Sequence, residues 1–157
     1  MLAAKEGAEA LVVERYGQVG GGCTHWGTIP SKTLRHAVSE LLKLRSNPLL
    51  ADQVPSLDIS LSSMLRAVER VVSKQVSVRR DFYQRNYVPI VQGQASFVDP
   101  NTIEVDTGLN KRRLNAHKFI VAVGSRPYRP DDVDFTHPRI RDSDTILSLD
   151  TTPQTIT

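Results

Sequence analysis

Two stretches of the chain carry apolar residues at the three- and four-residue spacing of an amphipathic helix. The first begins near Pro30, which suits the first turn of a helix, and ends at Asn47-Pro48. The second runs to about Asn86, and its charged residues fall on the face opposite its valines, which favours a helix over a strand. Residues 49–60 between them are typical of a surface loop. The apolar positions that define the two helices are Leu34, Ala37, Val38, Leu41, Leu42, Met64, Leu65, Val68, Val71, Val72 and Val76.

Short apolar runs on either side of this helical region predict buried strands. Residues 8–14 are typical of a buried parallel strand, and residues 1–7 before them are typical of the last turns of a helix that ends at Gly7. Residues 118–124 form a second apolar run, which ends at Gly124. Because a helix followed directly by a parallel strand implies an earlier strand, we expect the chain to begin inside a βαβ unit.

Four short segments between the second helix and residue 118 predict a small antiparallel β-meander, because turn residues separate them. Two of these turns are Asp99-Pro100-Asn101 and Thr107-Gly108. Beyond Gly124, four prolines indicate an extended surface connector, and residues 150–157 are typical of the start of a linker. The four predicted β segments are residues 88–93, 95–98, 102–105 and 113–116.

Composition and charge limit the class of protein. Of the 157 residues, 39% are hydrophobic and 24% are charged, which is ordinary for one soluble α/β domain and excludes a disordered or collagen-like chain. A net charge of +3 does not indicate a nucleic-acid partner, and we expect Lys111-Arg112-Arg113 to lie in a solvated hairpin turn. Because neither a membrane helix nor a signal peptide is visible, we expect a cytoplasmic protein with no membrane partner.

The cysteine and histidine residues give little support to a metal site. Cys23 is the single cysteine, which excludes an internal disulfide framework and a cysteine zinc cluster and favours a reducing compartment. His25 and His36 lie eleven residues apart without an obvious third ligand, so we predict no metal site. Cys23 as a reactive nucleophile stays an alternative, although a lone cysteine without a base is more often inert.

The residues with candidate chemistry lie between Glu14 and Lys32. Glu14 closes the first predicted strand, where an acidic residue of a Rossmann unit accepts hydrogen bonds from both hydroxyls of an adenosine ribose. Residues 20–22 are glycines, which let the main chain pass close to a flat or phosphorylated ligand, and the helix at Pro30 points its positive end toward the same region. The alternative is an exposed strand end followed by a flexible turn, and local features leave both interpretations open.

A resemblance to a known family rests on two motifs. Residues 21–32, GGCTHWGTIPSK, resemble the GGxCxxxGCIPSK signature of the flavin disulfide reductases, the family of lipoamide dehydrogenase and glutathione reductase. Residues 122–127, AVGSRP, resemble the ATGSxP segment at the end of that family's FAD domain. The resemblance covers nearly the whole chain. It implies an α/β fold, a partial Rossmann-like FAD-binding domain with a helical insertion and a small antiparallel β-meander.

The same resemblance implies the domain organisation. Residues 1–149 correspond to part of an FAD-binding domain whose first strand and GxGxxG loop are missing. Residues 150–157 correspond to the start of a linker to an NAD(P)-binding domain that is absent from this chain. NADPH and NAD are therefore the expected substrates of the parent protein, and their site is expected in the missing domain.

The resemblance further implies which residues bind FAD. Glu14 is expected to hold the adenosine ribose, residues 20–24 to line the pyrophosphate and the flavin, and Lys32 to approach the isoalloxazine ring. The main chain at Ala95 and Gly124 is expected to border the adenine half of FAD. The full set of implied cofactor-binding residues is Glu14, Arg15, Tyr16, Gly17, Gln18, Val19, Gly20, Gly21, Gly22, Cys23, Thr24, Lys32, Ala95, Gly124 and Ser125.

One departure from the family pattern bears on the reaction. Disulfide reductases carry two cysteines separated by four residues, one to attack the substrate disulfide and one to exchange electrons with the flavin. This chain keeps Cys23 but has Thr28 at the second position. Threonine has no thiol, so electron transfer through a pair of cysteines is excluded. The reaction that remains available to such a flavoprotein is hydride transfer between NADPH and NAD through FAD. A member of the family with that reaction has segments similar to three segments of this chain, CTHWGTIPSK, RPYRP and DSDTILSL. Val123, where the family has threonine, removes one hydroxyl near the cofactor.

Two other functions stay open at this stage. One is a different flavin-dependent NAD(P)H reductase of the same family, and the other is a non-catalytic remnant or interaction module. Because an incomplete parallel sheet leaves strand edges unpaired, we expect a homo-oligomer. We also expect weak FAD binding and no turnover by this chain alone, so that Cys23, Thr28 and Lys32 lie near the flavin without forming an intact catalytic set.

Overall fold

Most of the predicted helices and strands are present, with shifted bounds. The computed structural model describes residues 1–49, 59–149 and 151–157, so the predicted loop at residues 49–60 lies largely outside the described residues. The elements are α1 (Leu2–Lys5), β1 (Val12–Glu14), α2 (Gly21–His25), α3 (Thr28–Ser46), α4 (Leu61–Arg85), β2 (Ile90–Gln92), β3 (Gln94–Asp99), β4 (Thr102–Asp106), β5 (Lys111–Asn115) and a 3-10 turn (Ile146–Ser148).

Helix α1 ends at the predicted glycine. Gly7 has a φ of 84°, which glycine adopts without the strain that a Cβ would cause. The Gly7 N–H donates to the Ala4 carbonyl at 3.2 Å, and the Ala8 N–H donates to the Ala3 carbonyl at 2.9 Å. This pair of hydrogen bonds is a Schellman ending, which satisfies carbonyls that a helix terminus otherwise leaves without partners.

The two long helices begin and end close to their predicted bounds. Pro30 is buried in the first turn of α3, where its missing N–H leaves no hydrogen bond unmade. Asn47 follows α3 with extended backbone, because a residue before proline disfavours the helical conformation. In α4, Val68 and Val76 are each 5% exposed, and the helix ends at Arg85, one residue before its predicted end. Both helix predictions are confirmed.

Strands β1 and β2 form a two-stranded parallel sheet. Val12 pairs with Ile90 and Glu14 with Gln92. The parallel strand predicted in residues 8–14 is therefore confirmed, but the assignment of residues 88–93 to the meander is wrong. The turn signals mark where a short strand ends, whereas the partner of that strand is decided by packing over a long sequence separation.

Strands β3, β4 and β5 form the antiparallel meander in that order. The central strand β4 carries its core, because Ile103 is 8% exposed and Val105 is completely buried. Gly93 leads from β2 into β3 with a φ of 155°, and a Cβ on it would lie 2.6 Å from the Asp106 carbonyl oxygen. The chain passes so close to β4 at this point that only glycine fits without a rearrangement.

The predicted position of the basic run at residues 111–113 is wrong. The turn closes two residues earlier than expected, where the Thr107 N–H donates to the Asn110 carbonyl at 3.0 Å, and β5 begins at Lys111. Lys111 Nζ lies 2.9 Å from Glu104 Oε1 on the neighbouring strand β4. The hydrogen bond and the charge of Lys111 lower the pKa of the Glu104 carboxyl. The run is thus part of an exposed strand, in which Lys111 and Arg113 both form ion pairs with Glu104 across the sheet.

The strand predicted at residues 118–124 does not form. Its apolar side chains are largely exposed, with Ile120 at 90%, Val121 at 68% and Val123 at 87%. Phe119 alone packs edge-on against Phe97, with 5.0 Å between the ring centroids. The physical reason is hydrogen bonding, because an apolar run becomes a strand only beside a partner, and the described residues place no partner strand next to this one.

The structure divides into two units. The first comprises Met1–Gly21 with Val76–Gly124, and the second comprises Gly22–Gln75 with Ser125–Thr157. Both parallel strands and the meander belong to the first unit, and α3 belongs to the second. The assignment of residues 1–149 to one domain and of residues 150–157 to a linker stays a prediction.

Two features are absent from the described residues. No helix in these ranges has the length and the apolar run needed to cross a bilayer. The same ranges hold no group of three or more His, Cys, Asp or Glu side chains placed to bind a metal ion.

Candidate functional site

The first candidate segment directly follows β1. The Glu14 carbonyl accepts a hydrogen bond from the Gly93 N–H at 2.9 Å, which ties the end of β1 to β2. The half-buried Glu14 side chain turns back on its own chain, and its Oε1 accepts from the Tyr16 N–H at 3.0 Å. No described residue donates to Oε2. The carboxyl end of the parallel strand, where ligands bind in open α/β sheets, therefore presents a fixed carboxylate with one oxygen open to a ligand.

Arg15 and Tyr16 form a pair beside that carboxylate. Arg15 Nη2 donates to Tyr16 Oη at 2.6 Å, and Arg15 Cζ lies 4.7 Å from the centroid of the Tyr16 ring. The guanidinium group thus makes both a hydrogen bond and a cation–π contact with one neighbour. Arg15 is exposed and Tyr16 is half-buried, so the pair lies at the surface of the first unit.

The glycine-rich loop that follows is held by one buried apolar side chain, Val19, which is 5% exposed. Gly17 and Gln18 before it are exposed. Gly20 and Gly21 have φ angles of 124° and 58°, a region that favours glycine. A Cβ on Gly21 would meet no atom within 4 Å, so this stretch of main chain borders open space. A ligand has room to approach the main chain at Gly21, and the contact of this loop with a cofactor stays a prediction.

The second candidate segment begins with the short helix α2, which the sequence analysis missed. The Gly22 carbonyl accepts hydrogen bonds from the Trp26 N–H at 3.1 Å and the Gly27 N–H at 2.7 Å. A Cβ on Gly22 would lie 2.9 Å from Trp26 Nε1, and a Cβ on Gly27 would lie 3.0 Å from the Gly22 carbonyl oxygen. Two glycines five residues apart therefore let the chain fold tightly between α2 and α3, and that spacing was the signal available in the sequence.

Thr24 is a buried polar residue of α2. Its side chain is completely buried, and Oγ1 has no hydrogen-bond partner among the described residues. Because buried hydroxyl groups are nearly always hydrogen-bonded, an unpaired one marks a place where a ligand or a water molecule completes the structure. The predicted cofactor contact at Thr24 is consistent with this feature.

Cys23, Thr28 and Lys32 are all exposed. Cys23 lies on α2, Thr28 is the first residue of α3, and Lys32 lies one turn further along α3. A Cβ placed on Gly27, the residue before Thr28, would lie 3.6 Å from Cys23 Cα. The Lys32 side chain lies at the surface of the second unit. The placement of Cys23, Thr28 and Lys32 beside a flavin stays a prediction.

The remaining candidates lie later in the chain. Ala95 is exposed on β3, where it pairs with Val105 of β4. Gly124 has a φ of 73° with no atom within 4 Å of a Cβ placed on it, and Ser125 after it is exposed. The participation of these three residues in cofactor binding stays a prediction.

A polar cluster that the sequence analysis did not predict lies in the segment after Ser125. Asp142 Oδ1 accepts hydrogen bonds from the Thr145 hydroxyl at 2.7 Å, the Thr145 N–H at 3.0 Å and the Asp144 N–H at 3.1 Å. Asp142 Oδ2 accepts from Arg129 Nε at 2.8 Å. The hydrogen bonds from Thr145, and then those from Arg129, lower the pKa of Asp142 to about 2. Both oxygens are occupied, so the cluster fixes the connector and leaves no acceptor for a ligand.

A parallel strand that ends in a carboxylate, followed by a glycine-rich loop and a helix, is typical of the α/β class whose members bind nucleotides. The family model for pyridine nucleotide-disulphide oxidoreductase matches residues 1–157, and the chain belongs to this family. It is 55% identical over 146 residues to the soluble pyridine nucleotide transhydrogenase of Erwinia tasmaniensis, and 52% identical over 151 residues to that of Escherichia coli O9:H4. These matches cover 92% and 96% of this chain but 31% and 32% of the relatives. The chain spans about a third of the length of the curated relatives it matches.

Solved structures agree on the fold. LpdA from Mycobacterium tuberculosis superposes with a TM-score of 0.83 at 19% identity, over 96% of this chain and 34% of that one. The Cu(II) complex of the flavoprotein disulfide reductase RclA from Escherichia coli superposes with a TM-score of 0.76 at 20% identity, over 96% of this chain and 31% of that one. The predicted fold class, a partial Rossmann-like α/β domain with a small antiparallel meander, is confirmed.

Proposed function

We propose that this chain is the FAD-binding part of a flavoprotein that transfers hydride between NADPH and NAD. Its relatives at 55% and 52% identity are named soluble pyridine nucleotide transhydrogenases, and the match extends over more than nine tenths of this chain. The observation that carries the proposal is Thr28 at the position of the family's second cysteine, which leaves Cys23 as the single thiol. A disulfide relay needs two thiols, so the chemistry left to this family member is hydride exchange.

The residues present fit FAD in three respects. Glu14 offers an open carboxylate oxygen, which matches the hydroxyl donors of an adenosine ribose. Gly21 offers main chain where an added Cβ would meet no atom within 4 Å, so a pyrophosphate has room beside it. Thr24 offers a buried hydroxyl that still needs a partner. When bound, FAD supplies an acceptor and a donor of hydride, while the residues of this chain hold and orient it.

We assign separate tasks to these residues. Glu14 binds the ribose hydroxyls, and the main chain of the glycine-rich loop approaches the pyrophosphate. Cys23 and Thr28 pack beside the flavin, where the threonine hydroxyl neither forms a disulfide nor a thiolate. Lys32, at the first turn of α3, supplies a positive charge near the isoalloxazine ring. These roles follow from the resemblance to the family motif. Substitution of each residue tests its role.

The partners and the location follow from the same proposal. NADPH and NAD are the substrates, and their site corresponds to the two thirds of the relatives' length that this chain does not match. We further propose that the protein acts in the cytoplasm and forms a homo-oligomer. The exposed apolar side chains of Ile120, Val121 and Val123 support an interface, because large apolar patches are rarely left in water.

A chimera tests the proposed function. In the chimera, this chain replaces the matching third of the Erwinia tasmaniensis relative, and that relative serves as the control. We expect the purified chimera to be yellow and to oxidise NADPH at the expense of an NAD analogue. Oxidation of NADPH only with another acceptor would favour a different flavin-dependent reductase. A folded chimera without flavin and without turnover would favour the non-catalytic remnant.

A further inference from the structure

Arg15, the residue after Glu14, could compete with a ligand for the Glu14 carboxylate. Oε1 is held by the Tyr16 N–H, which leaves Oε2 as the oxygen open to a ribose hydroxyl. Arg15 carries a long side chain with five N–H donors, which suit a carboxylate better than a ribose hydroxyl does. An ion pair between the two neighbours would occupy the oxygen that the ligand needs.

The structure shows Arg15 held elsewhere. Its guanidinium group donates to Tyr16 Oη at 2.6 Å and lies 4.7 Å from the Tyr16 ring centroid, and it forms no ion pair with Glu14. Tyr16 thus contacts both neighbours, the carboxylate through its main-chain N–H and the guanidinium through its side chain. One residue fixes the first oxygen of Glu14 and also retains the cation that would block the second.

We propose that Tyr16 is a positioning residue that keeps Arg15 away from Glu14, so that the carboxylate stays free to bind the two hydroxyls of an adenosine ribose. This inference rests on the proposed FAD site. It gives Arg15 and Tyr16 an indirect role, in place of the direct cofactor contact that the family motif implies for them. The Tyr16 main-chain N–H survives any substitution except proline, so side-chain variants separate the two contributions.

Substitutions of Tyr16 in the chimera test the idea through FAD affinity. Tyr16→Phe loses the hydrogen bond but keeps the ring, and we expect the Kd for FAD to rise about threefold. Tyr16→Leu loses both contacts, and we expect a rise of about tenfold. Adding Arg15→Gln to Tyr16→Leu removes the competing cation and should restore the Kd to within about twofold of the parent value. Tyr128→Phe, at a tyrosine that is 86% exposed, is the matched control.

An FAD analogue distinguishes the positioning role of Tyr16 from a purely structural role. With FAD whose adenosine ribose lacks both hydroxyls, the Tyr16→Leu variant and the parent chimera should bind equally well. An unchanged Kd for FAD in Tyr16→Leu would overturn the proposal. A loss that persists in the double variant, or with the analogue, would overturn it as well, because Tyr16 would then contact the cofactor itself or support the loop.

The crystal structure of the Tyr16→Leu variant separates this inference from the proposed function. We expect an Arg15 nitrogen within 4 Å of a Glu14 carboxylate oxygen there, whether or not flavin is bound. An Arg15 side chain that stays away from Glu14 would refute the positioning role. Absence of FAD from the unsubstituted chimera would instead refute the proposed function, while the position of Arg15 would still decide the inference.

Discussion

At the scale of single residues, Thr28 is a position at which this chain departs from the two-cysteine motif of the family's reductases. It begins α3 directly after Gly27, where an added Cβ would lie 3.6 Å from Cys23 Cα. A second thiol at position 28 would complete the pair of cysteines in that motif, whereas the hydroxyl of threonine cannot form a disulfide.

Restoring the cysteine tests that geometry. We expect Thr28→Cys to form a disulfide with Cys23 under oxidation, because the spacing of the two positions is the one that reductases use. Titration of free thiols with and without a reductant measures how much of this disulfide forms. Ser46→Cys, at the far end of α3 and roughly 27 Å away along the helix, is the control and should stay reduced.

The result at Thr28 has two further readouts. Two permanently free thiols in Thr28→Cys would show that the entrance to α3 has a different geometry. We also expect the variant to gain no lipoamide or glutathione reduction, because a dithiol alone supplies no base for the substrate thiols.

At the scale of elements, Gly93 is the point where the parallel pair passes into the meander. Its N–H bonds to the Glu14 carbonyl, and its missing side chain lets β4 approach from the other side. The same residue therefore fixes the end of β1, where the candidate carboxylate lies, and the start of β3.

Gly93→Ala is expected to lower the free energy of unfolding by about 2–4 kcal/mol, from backbone strain together with the clash at the Asp106 carbonyl. Gly108→Ala is the matched control, because Gly108 also has a positive φ but a Cβ there would meet no atom within 4 Å. For the control we expect the free energy of unfolding to fall by about 1 kcal/mol. Urea unfolding followed by circular dichroism measures both, and equal losses would contradict the contact at Gly93.

The connector after Ser125 gives a prediction about pH. Hydrogen bonds from Thr145 and Arg129 lower the pKa of Asp142 to about 2, below its usual value near 3.8. A lowered pKa means that the carboxylate stabilises the folded state fully above its usual value, and that this contribution is lost as the pH falls from about 4 to about 2. The difference in melting temperature between the parent chain and Asp142→Asn should therefore shrink over that interval.

The control for this prediction is Asp132→Asn, at an exposed aspartate of the same segment. We expect it to shift the melting temperature little at any pH between 2 and about 6. A difference between the parent and Asp142→Asn that stays constant down to pH 2 would show that the carboxylate does not act through its charge.

Local patterns predicted the elements better than the contacts between them. The helices α3 and α4 follow from apolar spacing, and the turns of the meander follow from proline, glycine and asparagine. The pairing of residue 90 with residue 12, and the absence of a strand at residues 118–124, depend on which strand lies alongside, which no local pattern contains. In the site, the strand end at Glu14 was predictable, whereas its bond to the Tyr16 N–H depends on a side-chain rotamer.

At the scale of the whole molecule, the chain is about a third of the length of its curated relatives. The resemblance of its motifs to the family implies FAD-binding residues in this chain and implies no residue of this chain as a nicotinamide contact. Much of the apolar surface at residues 120–123 is open to water, which is unfavourable for a monomer.

We therefore expect the 157-residue chain by itself to purify as an oligomer that holds little FAD and does not turn over. Light scattering gives the mass, and the visible spectrum gives the flavin content. The chimera is the control for both. Stoichiometric FAD together with transfer from NADPH to NAD by the isolated chain would refute this expectation.

The register of the parallel strands also has a consequence for the order of folding. The meander joins neighbours along the chain, whereas β1 and β2 join residue 12 to residue 90 and must first close a long loop. Because contacts between distant residues form slowly, we expect pulse-labelled hydrogen exchange to protect the amides of β4 before those of β1. Simultaneous protection would contradict this order. A chain caught early in folding would then hold a finished meander and still lack the parallel pairing that fixes the strand end at Glu14.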